Sequence, residues 1–515
     1  MPSVTPPPAS DTPQHLRVAG TVLLTLRVGP PIAPDRTCPE LNSQEPAVPE
    51  APSAATQSVL DQIDHPVIDS DGHVLEFLPL VRDHLRTLAG QSTVDDFDGI
   101  LQAQAAAKNL TPEQRRNFGL FRLTWWGFPA RNSRDRATAM LPKLQHERLP
   151  EQGIDYSVVY PTAGLTAPMI EDASLRQALS RAFNEFYAAS YADYSDRLCP
   201  VAIIPMHTPE EAVAELEHAV RTLKLKAVLL AGFVYRPLDG ENIPRAARWV
   251  DTFGGDSPYD YDPVWAKCAE LGVNPTFHSS AMGWHRGASQ TNYVFNHIGN
   301  FAAAGETTCR SLFMDGVPHR FPELNFAFLE GGVGWGCTLY SDALGHYEKR
   351  NREAVENYNP KYLDQNLIGE LFDTYGSKSA IAHKDGLDES LRYMADPDEP
   401  EESRDEFARS GVKSAEDIRD IFTRQFHFGC EADDPMNSLA FNTRLNPQAA
   451  RLSAIFGSDM GHWDVPDTRE VLAEAWELVE KDLFTPDDFR AFVYDNPRKL
   501  WENGCPNFFK GTAID

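Results

Sequence analysis

The chain has 515 residues, 42% of them apolar, which is enough apolar material for a large core. Its 47 Lys and Arg residues stand against 75 Asp and Glu residues, a formal net charge of −28. This charge disfavours binding to nucleic acid, which needs a basic face, and to an acidic membrane surface. Seven cysteines occur singly and without a C-x-x-C pair, which argues against a zinc ribbon or a disulfide scaffold and predicts reduced thiols in the cytoplasm.

Residues 1–60 are predicted to form a disordered leader. They hold 12 of the 39 prolines, with Ser, Thr and Ala between them, and such a composition buries too little apolar surface to fold. The apolar run Val18–Leu26 is too short to span a bilayer and lacks the small-residue pattern of a cleavage site. It is interpreted as a β-prone segment of the leader, with a cleaved signal peptide as the alternative. Residues 61–515 are expected to form one folded domain.

Short apolar runs alternate with amphipathic runs after residue 61. Eight of them are brief, rich in β-branched or aromatic residues and bounded by turn residues, as is typical of strands. They are Val67–Asp69, Ser157–Tyr160, Val201–Ile204, Ala227–Leu230, Pro275–Phe277, Phe326–Leu329, Phe426–Phe428 and Ile455–Phe456. Helical period fills several gaps, namely Leu175–Tyr194, Glu210–Leu223 and Val471–Leu483.

This alternation predicts an α/β fold with a parallel sheet closed into a (β/α)₈ TIM barrel. Periodicity alone does not exclude an open doubly wound sheet, but no G-x-G-x-x-G follows the first strand, which disfavours dinucleotide binding. Two gaps, about 83–150 and 350–420, are too long for one helix and are predicted to be insertions at the barrel rim, where long loops serve as lids, binding walls or subunit contacts.

Residues of metal-ligand type recur where the predicted strands end. The first strand leads into Asp71 and His73, which can point the same way on an extended chain. His278 follows the fifth strand, Glu330 ends the sixth, and Asp459 follows the eighth. In a closed parallel barrel these ends meet on the face that carries the chemistry. A mixed set of nitrogen and oxygen ligands suits Zn²⁺, Mn²⁺ or Fe²⁺.

Each of these residues also has an ordinary structural interpretation. An Asp after a strand is often a helix cap, and a lone His is more often a hydrogen-bonded core residue than a ligand. His462, three residues beyond Asp459, is equally compatible with proton transfer, substrate contact or a capping role. The recurrence at four strand ends, rather than any single position, predicts the metal site.

Six motifs give the chain a resemblance to the amidohydrolase superfamily, specifically to the amidohydrolase-related branch that contains aminocarboxymuconate semialdehyde decarboxylase. The motifs are VIDSDGH at 67–73, GIDYSVVYPT at 153–162, RAFNEFYA at 181–188, NPTFHSSAMGW at 274–284, FPELNFAFLEGGVGW at 321–335 and IFGSDMGHWD at 455–464. The resemblance covers the chain from about Val67 onward and is specific for the branch, not for a substrate.

The resemblance implies a ligand set of Asp71, His73, His278 and Asp459. Asp71 stands where the family's His-x-His motif has its first His, and His73 matches the second. Where some members carry a sixth-strand His, this chain has Glu330, whose role as ligand, supporting partner or acid/base is left open. Since no lysine bridge is evident after the fourth strand, the pattern implies one divalent ion, with zinc or manganese expected.

Three functions remain open at this stage. The first is non-oxidative decarboxylation of an aromatic or unsaturated carboxylic acid, in which Asp459, His278, Glu330 and His462 are the catalytic candidates. The second is a metal-hydroxide hydrolase of an amide, ester, lactone or activated C–C bond, with Asp459 as ligand and base. The third is a catalytically silent barrel, which would have no need of the His and Asp set. Family resemblance favours the first.

The expected partner is a small anionic aromatic molecule, and relatives of this type suggest a homodimer. An anionic substrate needs a local cation in so acidic a chain. The candidate arginines are Arg122, Arg131, Arg134 and Arg286, and His285 could assist the last of them, although each is more readily interpreted as a surface residue. Trp125-Trp126-Gly127-Phe128 could form an aromatic wall, although buried packing would select the same residues.

Overall fold

The computed structural model describes residues 49–124, 126–238, 240–241, 243, 247–278 and 289–515. The predictions for residues 1–48, Trp125, His285 and Arg286 lie outside the described residues. Within the described residues, no helix combines the length and the apolar composition that a membrane span requires.

Eight parallel strands form a nearly closed barrel, as predicted, and each neighbour along the chain is also the neighbour in the sheet. The strands are β1 Ile68–Val74, β2 Tyr156–Pro161, β3 Leu198–Ile204, β4 Ala227–Leu230, β5 Pro275–Phe277, β6 Phe326–Phe328, β7 Phe426–Glu431 and β8 Ser453–Gly457. Next to β8, the Asp459 amide donates to the Asp71 carbonyl oxygen at 2.9 Å and so brings the last strand against the first. The predicted TIM barrel is confirmed.

Twenty α-helices surround the strands in the described part of the chain. They are α1 Ala54–Leu60, α2 Leu78–Ala89, α3 Gln91–Lys108, α4 Pro112–Phe118, α5 Ser133–Met140, α6 Pro142–Gln152, α7 Ala173–Tyr191, α8 Pro209–Glu217, α9 Asp262–Leu271, α10 Tyr293–His297, α11 Asn300–Met314, α12 Val317–Arg320, α13 Gly334–Arg350, α14 Gln365–Tyr375, α15 Lys378–Ala382, α16 Leu387–Arg392, α17 Ala415–Arg424, α18 Val471–Glu480, α19 Pro486–Arg490 and α20 Asn496–Glu502. Single π-turns extend α8 over His218–Thr222 and α19 over Ala491–Asp495.

The predicted helices begin where their capping signals lie. Thr208 caps α8 by accepting from the Glu211 amide, with Pro209 at the first helical position, as the sequence indicated. The predicted leader overlaps α1, in which Thr56 and Val59 are buried, so the folded part begins before residue 61. The stretch 83–150 is largely helical, from the end of α2 to α6, and an antiparallel hairpin of Val234–Pro237 with Arg248–Asp251 was not predicted.

The core has two main parts, as expected for parallel strands that are covered on both faces. One lies between the strands and the surrounding helices, with Leu230, Phe277 and Phe328 on the outer face of the barrel. The other fills the barrel itself with Ile68, Val158, Val201, Leu229 and Ile455. It continues into the C-terminal segment through Trp501, Phe508, Phe509 and Ile514, which close the end of the barrel opposite the predicted site.

Candidate metal centre

A buried aspartate holds the first strand in the shape that the site needs. Asp69 accepts from the Ser157 hydroxyl at 2.7 Å on β2, and from the Ser458 amide and hydroxyl, each at 2.9 Å, beyond β8. The register of β1 against β2 shifts between Asp69 and Gly72. A Cβ atom at Gly72 would lie 2.5 Å from Asp69 Oδ2 and 2.6 Å from Ser157 Oγ, so only glycine fits here. Asp69 thus holds β1 against β2 on one side and against the residues after β8 on the other.

Asp71 and His73 project from this strand into the barrel mouth, and both are buried. Asp71 Oδ1 lies 3.5 Å from His73 Nε2, as the spacing in the sequence predicted. The His73 Nδ1–H donates to the Pro161 carbonyl at 3.2 Å. Since a neutral imidazole has one N–H, this bond leaves the Nε2 lone pair free to face the site, which is the tautomer that a metal ligand requires.

His278 comes directly after β5 and meets His73 from the far side of the mouth. The two Nε2 atoms are 3.2 Å apart, and His278 Nε2 lies 3.8 Å from Asp71 Oδ1. Two basic nitrogens this close, each beside a carboxylate, form the arrangement that a shared cation would stabilise.

Asp459 and Glu330 both follow strands in a backbone conformation that non-glycine residues rarely adopt, with φ of 46° and 56°. Such strain is found at functional sites when the surrounding structure holds it in place. Asp459 Oδ1 lies 3.3 Å from His73 Nε2. Glu330 Oε2 lies 2.9 Å from His278 Nε2. The structure therefore brings all the predicted strand-end residues together, including Glu330, whose side chain touches the predicted ligand His278 directly.

His462 supports Asp459 rather than standing at the rim. Its Nδ1 lies 2.6 Å from Asp459 Oδ1, and its Nε2 lies 3.2 Å from the Thr162 hydroxyl. Its ring is 4.1 Å from that of His73, centroid to centroid. His462 is thus close enough to act in proton transfer, one of the roles considered from the sequence.

Burial dominates the electrostatics of the centre. It raises the pKa of Asp71 to about 8, and it raises the pKa values of Asp459 and Glu330 well above their ordinary range, with further repulsion between these carboxylates and from Asp464. Burial also lowers the pKa of His73 well below its usual value and that of His462 to about 3. Neutral histidines beside carboxyl groups that resist ionisation form a set that a bound positive charge would stabilise.

The donor set fits a divalent ion. Ligand atoms of Asp71, His73 and His278 all lie within 4.8 Å of one another, as do those of His73, Asp459 and His462. Asp71 Oδ1, Glu330 Oε2 and Asp459 Oδ2 are buried and have no hydrogen-bond partner among the described residues. Buried acceptors without donors are costly, and a cation beside His73 and His278 would satisfy those of Asp71 and Glu330. The set supports a divalent metal without choosing between zinc and manganese.

Aromatic side chains other than those of the proposed wall surround the centre, and Trp125 of that wall lies outside the described residues. Trp126 is 82% exposed, and Phe128 lies under the Arg136 guanidinium, 5.6 Å from it. The ring contacts that lead outward from the centre instead join Tyr160, His278, Phe301, His297, Trp463 and Tyr293, with centroids 5.4–6.2 Å apart.

The arginine candidates that the structure describes have other contacts. Arg134 pairs with Glu50 and Glu151, Arg122 Nη1 donates to the Lys108 carbonyl at 2.9 Å, and Arg131 is exposed. The described contacts of Arg122 and Arg134 are thus with residues outside the predicted ligand set, and a role of any of the three toward a substrate stays a prediction.

Several residues of the centre were missed. Glu431 ends β7, and burial raises its pKa to about 8, so the rule applied to the other strand ends would have found it. Trp463 and Asp464 lie inside the last sequence motif. His297, whose Nε2 is 4.0 Å from Glu330 Oε1, lies on α10 within the long connection after β5, and no local signal points to it.

A protein-family model described as Amidohydrolase matches residues 68–378, more than half of the chain. The chain belongs to the amidohydrolase family. The family resemblance seen in the motifs is thereby confirmed, and membership of this family makes the chain an enzyme. The match ends before β7, so Asp459 and His462 lie beyond it, and only the structure connects them to the matched residues.

Solved structures share the fold at low sequence identity. An amidohydrolase from Mycobacterium avium subsp. paratuberculosis is 18% identical, with a TM-score of 0.50 over 85% of this chain and 100% of its own. An IDCase from Metarhizium anisopliae is 12% identical, with a TM-score of 0.48 over 87% and 99%. A 2,6-dihydroxybenzoate decarboxylase is 14% identical, with a TM-score of 0.45 over 85% and 99%. No curated protein matches the chain. Similarity at this level is one of fold and identifies no substrate.

Proposed function

We propose that this amidohydrolase is a divalent-metal-dependent, non-oxidative decarboxylase of a small aromatic or unsaturated carboxylic acid. Asp71, His73, His278 and Asp459 hold one metal ion, and Asp459 serves the proton transfer.

The carrying observation is the buried set of two imidazole nitrogens and unpartnered carboxylate oxygens at the mouth of the barrel, with aromatic rings packed around it. The ring of His278 lies 5.6 Å from Phe301, edge to face, and 6.0 Å from Tyr160. Rings so placed suit a flat, unsaturated substrate, since aromatic groups stack or meet edge to face at such distances. The side chains of Asp71, His73 and His278 are at most 5% exposed, so a bound substrate would exclude water from them.

The metal, when bound, would supply the positive charge that holds an oxygen of the acid. The chain supplies the proton. Asp459 Oδ1 is occupied by His462, which leaves Oδ2, buried and without a partner among the described residues, to face the reacting carbon. Protonation of the carbon that bears the carboxylate is followed by cleavage of the C–C bond, whose electron pair returns to the substrate as CO₂ leaves. One proton is consumed per turnover and is replaced from solvent.

Glu330 is proposed as a further oxygen ligand of the same ion. Its Oε2 lies 2.9 Å from His278 Nε2, the nitrogen that also faces His73, so the carboxylate meets the ligating atom of the ring and not its other nitrogen. Its φ of 56° is the kind of backbone strain that persists at functional sites when the surrounding structure maintains it.

The reaction is tested by metal-loaded enzyme and a panel of hydroxylated aromatic and unsaturated carboxylic acids in D₂O. We expect release of CO₂ and one deuterium at the carbon that carried the carboxylate. Metal-free enzyme is the control and should be inactive until Mn²⁺ or Zn²⁺ is restored. A panel without CO₂ release, combined with turnover of esters, amides or lactones, would overturn the proposal.

Hydrolysis is the second candidate, because the same Asp459 oxygen is placed to take a proton from water. In H₂¹⁸O a hydrolase would incorporate ¹⁸O into its product, whereas a decarboxylase would leave the product unlabelled. The two experiments together separate the two reactions for any acid, ester, amide or lactone that the enzyme converts.

A further inference from the structure

Glu76 is a buried carboxylate that the reaction above does not use. We propose that it is a positioning residue, which acts through Thr162 and His462 on the orientation of Asp459. This inference rests on the proposed function for its kinetic consequence, but its structural claim can be tested without any substrate.

Glu76 lies just beyond β1 and binds the chain that leaves β2. Its carboxylate accepts from three consecutive amides, those of Thr162, Ala163 and Gly164, at 3.1, 2.8 and 2.9 Å. The Tyr187 hydroxyl of α7 donates a fourth hydrogen bond at 2.7 Å. Four donors that converge on one buried carboxylate fix the segment at 162–164 much more firmly than an ordinary loop contact, because bonds to a charged acceptor are about twice as strong as neutral ones.

The backbone of residues 162–164 is tightly packed and has no space for an alternative position. A Cβ atom at Gly164 would clash with the Tyr187 hydroxyl and lie 2.6 Å from Ile203 Cδ1, so the backbone is pressed against both. The position of Thr162 is therefore set by Glu76 and by the packing beneath Gly164.

The link to the metal centre runs through two hydrogen bonds. When Asp459 is ionised, as it would be as a metal ligand, its oxygens can only accept, so His462 Nδ1 carries the proton in its 2.6 Å bond to Asp459 Oδ1. The other nitrogen of the neutral ring is then an acceptor, and the Thr162 hydroxyl donates to it across 3.2 Å. Thr162 thus selects the tautomer of His462 that holds Asp459 by one oxygen and leaves the other free.

Loss of Glu76 would leave three amides without their acceptor and release Thr162. His462 could then rotate or take the other tautomer, and Asp459 would lose its support although every metal ligand remained. The expected defect is in the reaction step, since nothing in this chain of contacts holds the substrate.

The test uses Glu76→Gln, which keeps the shape but turns an amide N–H₂ toward the backbone donors, and Thr162→Val, which removes only the hydroxyl. In Zn²⁺-loaded protein labelled with ¹⁵N-histidine, both variants should shift the ring-nitrogen signals of His462 away from those of the Nδ1–H tautomer. With an active substrate, kcat should fall roughly 10- to 100-fold, the range for groups that orient a ligand, with KM unchanged. Thr162→Ser, which keeps the hydroxyl, should restore both readouts.

The double variant decides whether Glu76 acts through Thr162. If it does, Glu76→Gln should add little to the kcat loss of Thr162→Val, because residues that act as a unit are not additive. The matched control is Glu215→Gln, another buried carboxylate, which accepts from Asn184 at 2.9 Å and Arg181 at 2.8 Å on the outer helices and should leave the His462 signals unchanged.

Unchanged His462 signals in Glu76→Gln, or fully additive kcat losses, would overturn the inference. Altered signals in a protein that decarboxylates nothing would instead contradict the proposed function alone, so the two failures are distinguishable.

Discussion

The two ends of the barrel are built from the same strands but are stabilised in opposite ways. At the end where the strands begin, the C-terminal segment closes the barrel with Trp501 stacked on Phe508 at 5.2 Å. Carbonyls of α20 accept from Asn274 and Asn325 at 2.6 and 3.0 Å. Aromatic burial and well-placed amide bonds make this end stable by itself.

At the end where the strands finish, several of the buried side chains carry ionisable groups. Asp71, Asp459 and Glu330 each keep a buried oxygen without a partner in the described chain, and the last two are strained at φ. This end is held in a state that a cation would stabilise. We infer that the closed end contributes most of the folding stability. The open end is less stable because its buried side chains are arranged to bind a ligand. The predictions below test that division, beginning with the largest effect.

His278→Ala should abolish both metal uptake and activity while the protein stays folded. The variant removes one of the two nitrogens that face each other at 3.2 Å, and alanine offers no ligand atom in its place. Metal content by elemental analysis and the circular dichroism spectrum are the measurements.

The matched control is His427→Ala, since His427 is equally buried on β7 but lies where Lys499 of α20 affects its pKa, away from the centre. His427→Ala should cost stability and keep the metal. Full turnover in His278→Ala would contradict the assignment.

Asp459→Asn should lower kcat by a factor of roughly 10² to 10⁴, the contribution of a general acid or base. The amide keeps the size of the side chain but carries no transferable proton. Steady-state kinetics with metal-saturated enzyme would show it, and Asp251→Asn, which breaks a buried ion pair with Arg236 of 2.9 Å in the outer hairpin, serves as control. A loss confined to metal affinity, with kcat restored at high metal concentration, would leave Asp459 as a ligand only.

Trp501→Ala should lower the free energy of unfolding by about 3–5 kcal/mol, the usual cost of removing a large buried aromatic side chain. Trp501 is 1% exposed and belongs to the group of side chains that fills the barrel. Urea denaturation gives the stability, and metal stoichiometry of the folded fraction should be unchanged. A variant that keeps its stability but loses its metal would reverse the roles assigned to the two ends.

The smallest effect is a pH dependence of the metal-free protein. Above about pH 7.5 the histidines are almost entirely neutral in both folded and unfolded chains, so they add little slope. Burial raises the pKa of Asp71 to about 8, so the folded chain binds a proton there that the unfolded chain has lost. Stability should therefore fall from about pH 7.5 to 8.5, on the order of 1 kcal/mol for this group.

Thermal unfolding with a chelator and with metal would measure this slope. Bound metal keeps Asp71 ionised and should flatten it, and Asp71→Asn should reduce it in the metal-free protein. If stability depended on pH in the same way with and without metal, the buried Asp71 carboxyl would not lower the stability of the metal-free protein.

The barrel and most of its metal centre follow from local sequence patterns. Strand and helix periods are local, and the (β/α)₈ order brings all strand ends to one mouth, so Asp71, His73, His278, Glu330 and Asp459 were found from their positions after strands. The same rule would have given Glu431 had β7 been extended to its observed end.

How these residues are used depends on contacts between segments that are far apart in the chain. The contact between Thr162 and His462 joins residues 300 positions apart, and Glu76 reaches the loop after β2 across 86 or more. His297 and Trp463 meet across a distance that no periodicity encodes, with ring centroids 5.5 Å apart. Local patterns predict which element a residue occupies, but the contacts of each Asp459 oxygen and the rings placed around the centre depend on the packing of the folded chain.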